Sequence, residues 1–208
     1  MGAIEGRRDR RAERHAATRR EILDAAWELA RERGLAGWAL RDVAEAVGMR
    51  APSLYGYFDN KFAVYDAMFA DGYAALLERA GRTEADLVQR GTAPVDILRA
   101  AAGMFFEFCV EDPARLQLLF LRTLPGFEPS DSAYALAQQT FARMTVVMAA
   151  AGLGAPEHVD LWTALLTGLA TQQVSNDPGG DRWRRLIEPA VDMFVAAHLP
   201  SSPQGGRP

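Results

Sequence analysis

The chain is predicted to be all-α, with an N-terminal three-helix head carrying a helix-turn-helix on a larger helical body, about nine helices together. Three observations predict this. Apolar residues recur at helical spacing along most of the 208 residues, and strand-like alternation is nearly absent. Glycine and proline clusters divide those periodic stretches into separate helices. Charge is also divided: residues 1–61 hold 12 basic and 10 acidic side chains, the remainder 11 and 17. A mildly basic end on an acidic body suggests a small polyanion-binding head and a separate solvated body.

In chain order, the first helix is expected over about Thr18 to Arg33, where Ile22, Ala25, Ala26 and Leu29 recur and Gly34 supplies the stop. A short second helix covers Leu40 to Ala46 and ends at Gly48. A third begins near Ala51-Pro52-Ser53 and ends near Tyr57, with Pro52 tolerated in its first turn. A longer helix from Lys61 places Phe62, Tyr65, Phe69, Tyr73 and Leu76 on one face, and Gly81 to Thr92 reads as a polar break. Body helices are expected near 93–111, 113–123, 131–151, 157–175 and 181–198. Asp112-Pro113, Pro125-Gly126, Gly152–Pro156 and Asp177-Pro178-Gly179-Gly180 mark their boundaries. The domain division is 1–61 for the arm and head, 62–199 for the body and 200–208 for a disordered Pro/Gly/Ser-rich tail.

Several functions are disfavoured by composition. No run approaches the ~18 apolar residues of a membrane span, so no membrane partner is expected. The arginine-rich start lacks the apolar stretch of a secretory signal. The single cysteine, Cys109, excludes an intramolecular disulfide and fits a reducing cytoplasm; its apolar surroundings suit a buried structural thiol. His15, His158 and His198 lie far apart, so no metal and no other cofactor is expected. No catalytic triad, paired-carboxylate motif or phosphate loop is present, which argues against an enzyme. The acidic total argues against a non-specific architectural DNA protein.

Two short helices joined by a tight glycine turn match a helix-turn-helix. Gly48 supplies the backbone freedom, and Leu40, Val43, Ala44, Val47 and Leu54 supply the apolar residues that knit the helices together. The run from Leu40-Arg41-Asp42-Val43-Ala44 through Gly48-Met49-Arg50-Ala51-Pro52-Ser53-Leu54-Tyr55-Gly56-Tyr57-Phe58 to Lys61 resembles the DNA-binding signature of the tetracycline-repressor (TetR/AcrR) family. Thr18 to Ala26 resembles that family's first helix. In the body the resemblance rests on length, helix count and the stretch Gly168 to Gln173 followed by Asn176 to Arg182.

That resemblance implies a double-stranded DNA operator as partner. Tyr55 and Lys61, the chain's one lysine, fall where the family contacts phosphates, and Arg41 is either a further phosphate contact or helix-surface charge. Arg50, Ala51, Pro52, Ser53, Gly56 and Tyr57 would face the major groove. Tyr57 and Phe58 are also candidates for packing, a role better suited to Phe58. Arg7, Arg8, Arg10, Arg11 and Arg14 form either a DNA-embracing arm or a solvated tail. Two positions depart from the family pattern. Ala39 stands where a capping Ser or Thr is frequent, a loss of about 1 kcal/mol, and Arg50 stands where serine is usual.

The body carries more large apolar residues than a small bundle needs. The resemblance implies a cavity for a hydrophobic or aromatic effector, with Phe105, Phe108, Cys109, Leu116, Phe120, Phe141, Met144, Trp162 and Leu166 as candidate walls; a filled core without an effector is the alternative. It further implies a homodimer through the last two helices, with Leu165, Gly168, Leu169, Ile187, Val191 and Phe194 as candidate interface residues. The expected function is sequence-specific transcriptional regulation, with repression relieved by the effector.

Overall fold

The computed structural model describes residues 2–199, with side chains from Arg10 onward. The expected tail beyond Pro200 and the side chains of Arg7 and Arg8 lie outside the described residues. All regular structure among those residues is helical: α1 (Gly2–Arg33), α2 (Leu40–Ala46), α3 (Ala51–Leu54), α4 (Lys61–Gln89), α5 (Pro94–Val110), α6 (Pro113–Phe120), α7 (Asp131–Ala150), α8 (Pro156–Asn176) and α9 (Ile187–His198). A 3₁₀ turn, Arg184–Leu186, leads into α9. None of these helices is long and apolar enough to cross a membrane.

Three boundaries differ from expectation by more than three residues, for identifiable reasons. Helix α1 begins sixteen residues before Thr18. Its first half is rich in Ala, Arg and Glu, all strong helix formers, but it is polar all round and so leaves no apolar period to detect. Helix α4 continues through Gly81 to Gln89. A mid-helix glycine costs about 1 kcal/mol relative to alanine, and the helix is held on both sides of it, by Arg79 on Glu111 (2.9 Å) before and by Arg143 of α7 beside Glu84 (2.6 Å) after. Helix α9 starts at Ile187 instead of near 181. The intervening turn is fastened by the buried Gln173, whose Oε1 accepts from the backbone N–H groups of Trp183 (2.9 Å) and Arg184 (3.2 Å).

The capping loss expected at Ala39 is partly made good. Asp42, at the third position of α2, accepts from the Ala39 backbone N–H at 2.7 Å, which satisfies one orphan donor from inside the helix. Asn60 caps α4 through Ala63 N–H at 3.0 Å, and Asp112 caps α6 through Arg115 N–H at 3.1 Å.

Buried residues form two clusters. The first joins Ile22, Trp27, Val43, Leu54 and Phe58 of the head to Val64, Tyr65 and Met68 of α4 and Leu118 of α6. The second fills the body and includes Phe69, Tyr73 and Leu76, further along the same α4. One rigid helix therefore contributes to both clusters, and polar contacts reinforce the junction. Trp27 Nε1 donates to Asp71 at 2.9 Å, Tyr65 Oη donates to the Leu35 carbonyl, and Arg31 of α1 pairs with Asp112 at the start of α6.

Candidate functional site

The helix-turn-helix is built around Gly48, whose φ of +66° lies in the left-handed region that side chains disfavour. Its turn lets Met49 N–H reach the Ala44 carbonyl at 2.8 Å, and Val43, Ala44 and Leu54 are buried against α1 and α4. Helix α3 is a single turn, Ala51–Leu54. Arg50, Pro52, Ser53, Tyr55 and Gly56 are exposed on and beside it, while Ala51 and Tyr57 are half-buried. Tyr55 stands 55% exposed, its ring open to solvent on the α3 side of the head. Arg41 is exposed too, its Nε 3.6 Å from Asp42.

The structure places three candidates differently from a free groove or phosphate contact. Lys61 is half-buried; its Nζ donates to the Trp38 carbonyl at 2.5 Å and the Ala36 carbonyl at 3.3 Å, and it sits 4.3 Å from the Trp38 ring centroid. Burial holds its pKa below the ordinary lysine value, against the opposing charge of Asp42. Its ammonium thus closes the loop between α1 and α2. Tyr57 stacks on His15 with ring centroids 4.6 Å apart, and its carbonyl accepts from Arg19 at 2.7 Å. Phe58 is a packing residue, buried beneath the Arg19 guanidinium at 4.0 Å. Sequence reading passed over His15 and Arg19, because their partners lie about forty positions away in the chain.

In the body, α4, α5, α7 and α8, with Phe120 of α6, line a partly open cavity of about 100 Å³, somewhat smaller than the ~150 Å³ apolar cavity that admits benzene. Phe105, Phe120, Phe141, Met144, Trp162 and Leu166 are among its lining residues. Tyr73, Leu76 and Ala80 of α4 also form its wall, a role that only the packing of α4 against α5 and α7 reveals. Phe108, Cys109 and Leu116 correct the expectation: they are at most 1% exposed, belong to the filled core and do not line the cavity. Phe108 instead lies 4.3 Å beneath the Arg115 guanidinium, and burial pushes the Cys109 thiol up to about 12. Helical stripes set which residues share a face, but not which side of that face is filled.

The α8/α9 surface divides in the same way. Leu165 and Leu169 are half-buried, and Gly168 is exposed with no atom within 4 Å of the position a Cβ would take. Ile187, Val191 and Phe194 correct the interface expectation, since their stripe turns inward to the chain's own core, with Phe194 against Trp162 at 5.2 Å. The apolar residues that α8 and α9 do leave outside are Leu161 and Met193, 52% and 62% exposed.

Comparison with known proteins bears on this arrangement. Residues 22–68 match the model of bacterial regulatory proteins of the tetR family. The chain is 32% identical over 105 residues to the transcriptional activator FasR of Mycolicibacterium smegmatis, covering 49% of this chain and 45% of that one. It is 46% identical over 48 residues to the transcriptional repressor KstR2 of Rhodococcus jostii, covering 23% and 24%. These matches span less than half of the curated relatives' length, and those relatives are transcriptional regulators by name. A solved TetR/AcrR regulator from Thermobifida fusca superposes with a TM-score of 0.62 at 22% identity, over 88% of this chain and all of that one. Residues 22–68 thus match the model of the tetR family's N-terminal domain, and the described residues share the fold of a solved TetR/AcrR regulator.

Proposed function

We propose that this protein is a cytoplasmic, sequence-specific DNA-binding transcriptional regulator, acting as a homodimer and as a repressor released by a small hydrophobic or aromatic effector. The observation that carries the reading is the double membership of α4. Val64, Tyr65 and Met68 belong to the head's core, while Tyr73, Leu76 and Ala80 form a wall of the cavity. A ligand that moves the cavity wall must therefore shift the base on which the helix-turn-helix rests.

On this reading the head is residues 1–61 and the effector-binding and dimerisation body is residues 62–199. Arg50, Ala51, Pro52, Ser53, Tyr55 and Gly56 meet the DNA, with Arg41 at a flanking phosphate. Tyr57 and Lys61 act mainly by holding the head's shape. Two heads in a symmetric dimer would sit in successive major-groove faces, roughly 34–36 Å apart. The dimer forms over Leu165, Gly168 and Leu169, extended by Leu161 and Met193; the open space above Gly168 suits close approach of a second helix. Effector binding depopulates the DNA-competent arrangement because the ligand prefers the other one. The small volume of the cavity favours one rival reading, a regulator of the same fold with no natural effector.

The test is fluorescence-anisotropy titration against short genomic fragments, including the region upstream of the chain's own coding sequence, with non-specific competitor. Tight binding to one fragment, lost on adding a compound that occupies the cavity, is the expected result. No fragment preference would sink the regulator reading; a preference that survives every cavity ligand would leave the rival.

A further inference from the structure

A groove of about 810 Å³ opens beside the cavity, between α4, α6, the segment 121–130, α7 and α8. Tyr73, Phe120, Phe141 and Thr163 line both spaces, so the two meet at this ring of side chains. Glu84 Oε2 and Arg143 Nη2, 2.6 Å apart, lie in the part of the cavity wall that the groove does not share. From Tyr73 at the junction to Ala80, the wall runs about 10 Å along α4 at 1.5 Å per residue.

The groove differs from the cavity in chemistry. Phe69, Phe127 and Tyr134 add aromatic rings to the shared Tyr73, Phe120 and Phe141. Its charged residues are Glu128, Asp131, Asp160 and Arg122. Arg122 Nη2 is 4.0 Å from Glu128 Oε1, and that pair cancels. Neither Asp131 nor Asp160 has a cationic partner among the described residues. An anion entering the groove would meet two exposed carboxylates, that of Asp131 partly offset by the α7 N-terminus, whereas a cation would find both together with aromatic faces.

We propose that cavity and groove form one elongated site for a cationic amphiphile. The inner end of an alkyl chain fills the cavity, and the rest of the body with its amine or quaternary ammonium head lies in the groove among Phe127, Tyr134, Asp131 and Asp160. The proposal rests on the effector reading for its biological meaning, but the binding chemistry stands separately. The apolar cavity accounts for affinity and the acidic, aromatic groove for selection by charge.

Calorimetric titration of the full chain, without DNA, tests it with three probes that share one tail: decyltrimethylammonium, decanol and decanoate, each kept below its micelle concentration. The ammonium is expected to bind at least about tenfold tighter than decanoate, with decanol between them, a gap of roughly 1.4 kcal/mol. Replacing both acids, Asp131→Asn with Asp160→Asn, should shrink the ammonium-to-decanoate ratio to about threefold and leave decanol unchanged. Filling the cavity by Leu166→Trp, or by Ala101→Phe if the first variant does not fold, should weaken all three probes about tenfold. Decanoate binding as tightly as the ammonium, a ratio unmoved by the double variant, or no binding of any probe would overturn the proposal. If the ammonium binds as expected but leaves a protein–DNA complex intact, the ligand site stands and the effector reading falls.

Discussion

Arg31 of α1 and Asp112 of α6 form the most buried charged contact between head and body. The guanidinium Nε and Nη2 stand 2.9 and 2.8 Å from the same carboxylate oxygen, and Asp112 is only 2% exposed. The other oxygen of Asp112 caps α6 through Arg115 N–H. One carboxylate thus fixes the start of a body helix and one face of the head's first helix.

Replacing it tests that double role. Asp112→Ala removes a cap worth about 1 kcal/mol and takes from Arg31 its buried carboxylate, leaving it only the surface pair with Glu28 at 2.7 Å, so about 1–2 kcal/mol of stability should be lost. Asp112→Asn retains a capping oxygen and should lose less. Urea denaturation of the two variants separates the two roles; equal losses would mean that the cap contributes little, and an unchanged Asp112→Asn variant that the charge pair does.

Ala39→Ser should stabilise. The Ala39 N–H already donates to Asp42, but the Asp42 N–H has only the Ala39 carbonyl at 2.9 Å and no side-chain acceptor. A serine hydroxyl completes the reciprocal box and should add about 0.5–1 kcal/mol, raising Tm by about 1–4 °C for a chain of this size. A fall in Tm on calorimetry would show that the extended backbone at Ala39 cannot direct the hydroxyl inward.

Alkaline pH should destabilise the protein from about pH 9 upward. Burial raises the Cys109 thiol from 9.0 to about 12 and the Tyr65 phenol from 10.0 to about 12, and it raises Tyr73 still further. Each group stays protonated in the fold after the unfolded chain has released its proton. Their contribution is therefore whole below the unfolded pKa and declines as pH rises through the window up to the folded value, by about 1.4 kcal/mol per pH unit for each fully buried group. Denaturant midpoints measured from pH 8 to 11 should fall first through Cys109, and Cys109→Ala should flatten the onset. In the native state Cys109 should resist alkylation at pH 8.

Tyr55 and Lys61 should separate DNA contact from head architecture. Tyr55→Ala removes a ring that is 55% exposed, so its Tm should stay within about 1 °C, a surface-substitution effect, while operator affinity falls about tenfold. Lys61→Ala removes the donor to the Trp38 and Ala36 carbonyls and should lose about 1–2 kcal/mol of stability, with weaker DNA binding as a consequence. A Lys61→Ala variant of unchanged Tm that no longer binds would return this lysine to direct phosphate contact.

Much of this molecule was determined by sequence alone, because its information is local. Apolar spacing and glycine stops placed α2 at Leu40–Ala46 without error, and the spaced pattern through Gly48 and Tyr55 identified the head. Tertiary structure decided matters in which a residue's role depends on partners distant in the chain. The polar first half of α1 gave no periodic signal, since a sequence with polar residues on every side of the helix has no apolar face to mark it. Phe105 lines the cavity while Phe108 and Cys109, three and four positions on, fill the core. Ile187, Val191 and Phe194 face inward, while Met193 beside them faces out. Lys61 closes a loop because Trp38 and Ala36 lie within reach of it only once the head is folded. Helical spacing specifies which residues share a face, but what that face meets depends on packing, which brings together side chains many turns apart.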